Sequence, residues 1–226
     1  FAGAIRCGLE NARFDWVYLL NDDMVVDRLA LGEVLKCRSS FTFAVASQIL
    51  VYHSRQPREE TGYTFYRVVN GIIELDHRIP SEPALSERIL YAGGGSSLFH
   101  RVRLIEFMGT RDPYSPCYFE DAEWSVLAWK HGYEVTVCPE SQDRHRHRVT
   151  HQQLFGTREI NRIFERNACR FQLRNALHGG SDRKLCLRLL ELDAKSFREL
   201  CEWRQLIEVL RERARGYTFA YPLLGP

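Results

Sequence analysis

Apolar positions along the first 150 residues keep switching between helical and strand-like spacing. Ala4, Ile5, Leu9 and Ala12 fall on one face at helical spacing and predict a first helix. Trp16-Val17-Tyr18-Leu19-Leu20 follows without a polar interruption, the pattern of a strand buried on both faces of a parallel sheet, and it stops at Asn21-Asp22-Asp23. Asp27 is placed to cap a second helix with Leu29, Leu31, Val34 and Leu35 inward, and residues 41–46 read as the next strand. Residues 63–69 and 72–75 flank Asn70-Gly71, a pair that accepts the positive φ of a tight turn, so an antiparallel hairpin is expected there. Ile89-Leu90-Tyr91-Ala92 leads into Gly93-Gly94-Gly95-Ser96-Ser97. Residues 120–131 predict a helix with Trp124, Leu127 and Ala128 inward and Gly132 ending it. Residues 133–137 alternate as a strand that Pro139 should stop.

Beyond about residue 154 only helical spacing remains. One apolar stripe is Ile160, Ile163, Phe164, Ala168 and Phe171, and another is Phe197, Leu200, Cys201, Ile207 and Leu210. The chain therefore divides into an α/β unit over residues 1–150 and a helical C-terminal extension over 151–226. No internal repeat or low-complexity segment interrupts it. Because the chain opens at Phe1 inside a helix, it reads as a piece of a longer protein.

Composition narrows the class. At 226 residues and 45% hydrophobic the chain can bury one sizeable core. Thirty-one basic against 29 acidic residues give a net charge of +2, which does not call for a nucleic-acid partner. The seven cysteines are scattered and never spaced C-x-x-C, which argues against a disulfide framework or a zinc ribbon and for a reducing, cytoplasmic setting. No run approaches the roughly 18 apolar residues of a membrane span, so membrane contact would be peripheral.

Five features carry candidate chemistry. Asn21-Asp22-Asp23 sets hard oxygen ligands at a strand end, suited to Mg²⁺ or Mn²⁺ shared with a phosphate, though acids there also cap helices. Glu120-Asp121 would interact well with a helix dipole, while the flanking Tyr118-Phe119 and Trp124 would desolvate the pair and make a stronger base. The glycine run suits either a strand bend or close approach of backbone to a ligand. His145, His147 and His151 lie in the basic stretch Arg144-His145-Arg146-His147-Arg148, which fits a metal or diphosphate site or a solvated loop. Arg158, Arg162, Arg166, Arg170 and Arg174 recur every four residues, forming a ridge that would be a solvated helix face or meet phosphates or anionic lipid.

Taken in order, Leu19-Leu20-Asn21-Asp22-Asp23, Gly93-Gly94-Gly95-Ser96-Ser97-Leu98-Phe99, Tyr118-Phe119-Glu120-Asp121, Gly132-Tyr133-Glu134-Val135 and Pro139-Glu140 followed by His145 resemble the inverting family 2 glycosyltransferases, above all rhamnosyltransferase-like bacterial members. The resemblance covers roughly residues 1–150 and implies a GT-A-like mixed sheet with an inserted hairpin, lacking the family's opening nucleotide-binding strands. It implies Asp121 as catalytic base with Glu120 lining the acceptor site. Asp23 and His145 (His147 as second choice) would hold the metal, and Asn21, Asp22, Gly94 and Gly95 would contact substrate. The implied cofactor is Mg²⁺ or Mn²⁺, and the implied donor is a nucleoside diphosphate sugar. The acceptor would be a glycan or lipid-linked hydroxyl, in cell-surface polysaccharide or glycan synthesis at the cytoplasmic face of the membrane. Two departures stand out: Asn21 replaces the usual first acid, and Asp143-Arg144 is unusually polar for the strand leading to the histidine. Two rival readings are a non-catalytic module that binds polyanions or membrane through the arginine ridge, and a metallohydrolase on the three histidines.

Overall fold

The structure, a computed structural model, describes residues 1–52, 60–69, 72–80, 83–110, 112–146 and 156–175. Eight strands are present among them: β1 (Trp16–Leu20), β2 (Met24–Val26), β3 (Thr42–Val51), β4 (Thr64–Val69), β5 (Ile72–His77), β6 (Glu87–Arg88), β7 (Ser96–His100) and β8 (Glu134–His145). Five helices join them: α1 (Ala2–Asn11), α2 (Ala30–Lys36), α3 (Arg101–Met108), α4 (Glu120–Lys130) and α5 (Thr157–Asn175). The main sheet runs β1-β7-β3-β8-β2, with β6 added to β8. Only β3 and β8 pair in parallel; β1–β7, β3–β7, β2–β8 and β6–β8 are antiparallel. The result is a mixed α/β fold, and the parallel neighbour expected for β1 is replaced by antiparallel β7.

Helices cover both faces. On one face Phe43, Ala44, Phe99, Val135 and Val137 pack with Leu9 of α1, Leu104 and Phe107 of α3 and Trp124 and Ala128 of α4. On the other, Val45, Leu98 and Cys138 meet Val34 of α2, with Trp16, Tyr18 and Leu35 at the margin. Strand β3 lies between these layers, which is why its run Phe43-Ala44-Val45-Ala46 has no polar alternation to show. In α2 the inward side chains are Ala30 and Val34, whereas Leu29 and Leu31 are 63% and 47% exposed. The helix begins at Ala30, two residues later than an Asp27 cap implies; Asp27 still accepts the Leu29 amide hydrogen at 3.2 Å.

Pro139 does not stop the last strand. The register of β8 against β3 jumps from Ser47↔Cys138 to Gln48↔Gln142, so residues 139–141 bulge out and pairing resumes as far as Val51↔His145. A proline has no N–H for the ladder, and a bulge is where a strand tolerates that loss. The same bulge carries Asp143, Arg144 and His145 alongside β2.

A third cluster gathers Leu90, Tyr114, Ala122, Val126 and Phe171, with Tyr66, Ile73 and Leu75 of the antiparallel β4–β5 pair packed on it. Gln172 ties α5 to β5 by accepting from the Ile73 N–H at 3.0 Å and donating to the Ile73 carbonyl. Of the first predicted α5 stripe, Ile163 and Phe171 are buried and Phe164 is 51% exposed. The second stripe and the Asn70-Gly71 turn lie outside the described residues. No described helix is long and apolar enough to cross a membrane.

Candidate active site

The first acidic cluster hangs between two strands. At its start the Asn21 N–H donates to the Gly95 carbonyl at 2.9 Å, continuing the β1–β7 ladder by one bond. At its end Met24 pairs with His145, and the Arg146 N–H donates to the Asp23 carbonyl at 2.8 Å. Asp23 and His145 are thereby neighbours: Nε2 of His145 stands 3.0 Å from Oδ2 of Asp23. On the other side of the ring, Nδ1 lies 3.8 Å from Oε2 of Glu60. Glu60 chiefly, with Asp23, raises the imidazole pKa against the opposing effect of burial. Asp22 is exposed.

The polarity of β8 just before this histidine has a structural reason. Asp143, fully buried, accepts hydrogen bonds from the Tyr18 and Ser96 hydroxyls and, at 3.2 Å, from the Asp27 N–H. Tyr18 also bonds Ser47 at 2.6 Å, and Ser47 bonds Ser141 at 2.7 Å. A buried carboxylate satisfied by three donors ties together β1, β7 and β8, the strands that flank Asp23 and end in His145. Arg144 turns outward to Asp27 at 3.7 Å.

The glycine turn joins the two acidic clusters. Its Gly95 carbonyl holds Asn21, while the Gly94 N–H donates to Oδ2 of Asp121 at 3.0 Å. A Cβ on Gly95 would lie 2.8 Å from Nδ2 of Asn21, and one on Gly94 would reach the Phe1 ring at 3.0 Å. The missing side chains therefore let Asn21 close on the turn at Gly95 and the Phe1 ring at Gly94, which is a more specific use than a bend.

Asp121 and Glu120 are neighbours with opposite surroundings. Both oxygens of Asp121 are bound, Oδ2 by Gly94 and Oδ1 by the Ala122 N–H at 2.8 Å. Burial raises its pKa, and these two N–H donors oppose that shift. Glu120 is 6% exposed and its Oε2 has no hydrogen-bond partner among the described residues. Burial, then the charge of Asp121, pushes its pKa up to about 8. Two amide donors thus favour the ionised form of Asp121, while Oε2 of Glu120 receives none, the kind of unequal surroundings that separates base from donor.

Tyr91 stands between the clusters. Its hydroxyl lies 3.1 Å from Nε2 of His77, and its phenol pKa is raised by burial and then by the charges of Asp121 and Glu60. His77 in turn acts electrostatically on Asp121. Glu60, His77 and Tyr91 escaped the sequence reading because each sits in a hairpin or loop whose place beside the site is set by packing. The one local signal was Tyr91, two residues ahead of the glycine run.

The arginine ridge is not one solvated face. Arg166 donates to the Ser115 carbonyl, Arg170 to the Pro113 carbonyl, and Arg174 pairs with Glu123 at 2.8 Å. Arg162 bonds Glu159 at 3.3 Å, and Arg158 is exposed. Helix α5 packs so closely on the 113–123 segment that the irregular backbone there needs donors, and the arginines supply them. His147 and His151 lie outside the described residues.

For Mg²⁺ or Mn²⁺ the residues present fit a shared site. Among the described residues no group of three or more His, Cys, Asp or Glu could hold an ion by itself. Asp23 and His145, 3.0 Å apart, match neighbouring ligands of an octahedral ion, which at bond lengths of about 2.1 Å stand on the order of 3 Å apart. Such ions commonly take one or two protein ligands and fill the rest of their shell with phosphate and water. Glu60 on the far ring nitrogen is where a ligating histidine usually finds a carboxylate.

No protein-family profile matches the chain, and no curated protein does. Among solved structures, GalNAc-T7 crystallised with UDP, GalNAc and Mn²⁺ is 19% identical with a TM-score of 0.48, the match covering 66% of this chain and 30% of that one. A197 from STIV is 13% identical with a TM-score of 0.37, covering 64% of each chain. This chain thus corresponds to less than two thirds of the length of either structure.

Proposed function

We propose that this chain is the catalytic part of an inverting glycosyltransferase of GT-A-like fold, moving a sugar from a nucleoside diphosphate to a hydroxyl acceptor. One observation carries the reading: a single glycine turn binds both acidic clusters, Asn21 through Gly95 and Asp121 through Gly94. Two sites that handle opposite ends of one reaction must be held at fixed separation, and this turn does so with backbone alone.

Asp121 accepts the proton of the acceptor hydroxyl as that oxygen attacks the anomeric carbon. The new C–O bond forms as the bond to the departing phosphate oxygen breaks, and the nucleoside diphosphate leaves on the opposite side. The Gly94 and Ala122 amides orient the carboxylate and leave each of its oxygens a second lone pair for that proton. Protonated Glu120 offers a hydrogen bond to the acceptor. Asp23 and His145 would hold Mg²⁺ or Mn²⁺, which when bound neutralises charge on the departing diphosphate. Asn21 and Asp22 border the diphosphate. The acceptor in this proposal is a lipid-linked or glycan hydroxyl met at the membrane surface.

The test is turnover of the full-length protein with a panel of UDP- and dTDP-sugars, with and without Mn²⁺ or Mg²⁺, beside Asp23→Ala and Asp121→Asn. Metal-dependent transfer should vanish in both variants, with a loss of about 10² to 10⁴ for removing the base alone. Donor binding should persist in Asp121→Asn. Wild-type rates in Asp121→Asn, or no turnover and no donor binding across the panel, would overturn the assignment.

A further inference from the structure

Tyr118 and Phe119, the two residues ahead of Glu120-Asp121, both have φ of +77°. Consecutive left-handed conformations at aromatic residues are strained, and such strain persists only where the surroundings over-determine it. The segment that leads into this turn also points carbonyls into the protein. Asn167 of α5, fully buried, receives them: its Nδ2 lies 2.6 Å from the Tyr114 carbonyl oxygen, 2.7 Å from that of Cys117 and 3.2 Å from that of Tyr118. Its Oδ1 accepts from Nε of Arg166 at 3.2 Å, which fixes the amide orientation, since the reverse would set an oxygen against three carbonyls. Around this point Phe119 packs on Phe164 and Phe171 with ring centroids 5.1 and 5.6 Å away.

We infer that Asn167 is a positioning residue for catalysis, holding the left-handed Tyr118-Phe119 turn so that Asp121 meets Gly94 and Glu120 faces the acceptor. The inference rests on Asp121 being the base. No other side chain substitutes easily. Aspartate has the same shape but no donor, glutamine is one methylene too long for a closed pocket, and alanine removes the donor that the buried Tyr114 and Cys117 carbonyls share. Helix α5 is on this reading part of the catalytic apparatus.

The experiment compares full-length wild type, Asn167→Ala, Asn167→Asp and Asn167→Ala/Tyr118→Asn, with Asp121→Asn in parallel, on whichever UDP- or dTDP-sugar turns over. Asn167→Ala should lose at least tenfold in kcat while the donor KM stays within twofold. The acidic limb of its pH–kcat profile should move, because Asp121 has lost its fixed amide partners. Amide exchange over residues 114–123 should quicken without change in β3. Asparagine adopts the left-handed region more readily than tyrosine, so Tyr118→Asn should restore part of the kcat. A folded Asn167→Ala with wild-type kcat, pH profile and exchange would overturn the inference. If Asn167→Ala does not fold, the double variant is read in the same way. Failure of the function itself looks different: Asp121→Asn would then transfer at the wild-type rate. If no donor turns over, exchange over 114–123 decides, and an unchanged rate there counts against Asn167.

Discussion

Glu120 costs stability wherever it is ionised, and the sign can be worked out. Its carboxyl has an ordinary value of 4.5 and is pushed up to about 8 in the fold by burial and by Asp121. Between those values the native state binds more protons than the unfolded chain, so stability falls as pH rises through that window. Below about pH 4.5 this group makes no difference between the two states, and above about 8 its full cost is present. Glu120→Gln keeps the shape and removes the titration. Urea unfolding at pH 5, 6.5 and 8.5 should show the variant gaining on wild type at each step upward; parallel curves would mean that Glu120 is not held in an apolar pocket. At this scale the sequence was informative about residue type and poor about surroundings. Two adjacent acids at a helix start are visible in a string of letters, but only the fold shows that Asp121 receives two amide donors while Oε2 of Glu120 has no partner among the described residues.

Elements meet at the bulge in β8, and Gly62 is the residue that lets the backbone just ahead of β4 lie against β3 there. It has φ of +86°, and a Cβ on it would fall inside the contact distance of the Ser47 carbonyl, the residue at which the β3–β8 register shifts. Backbone cannot yield as a flexible side chain does. Gly62→Ala should therefore destabilise by about 2 kcal/mol or more, from positive φ and overlap together. Thermal unfolding measures it, and a loss under about 0.5 kcal/mol would show that the loop relaxes freely. Because Glu60 lies two residues away, the same variant should slacken the contact at His145. Much of the order of elements was legible from apolar spacing, but β2, β6 and α3 were not read from it. What was not legible was pairing: β1 reads as a buried parallel strand but lies antiparallel to β7, and Pro139 reads as a stop but is accommodated by a bulge. Both depend on partners far away in the chain, which local pattern does not encode.

On the scale of the whole molecule the site is assembled from segments spread over 150 positions, Asp23 at one end and the carbonyl-bound arginines of α5 at the other. The order of the motifs could be read from the sequence because each has its own local chemistry. The role of the arginine ridge could not, since a cation every fourth residue looks alike whether it faces water or carbonyls. Metal binding gives a test that involves the fold as well as the chemistry. Asp23 precedes β2 and His145 ends β8, so an ion held by both would clamp the edge of the sheet only in the native state. At a hundred times its dissociation constant such an ion stabilises by about 2.7 kcal/mol, or roughly 5 to 10 °C for a chain of this size. Mn²⁺ should produce that shift in wild type and in Asp121→Asn, and neither Asp23→Ala nor His145→Ala should show it. A shift lost in Asp121→Asn but kept in Asp23→Ala would move the ion to the second cluster and leave Asp121 with a different task.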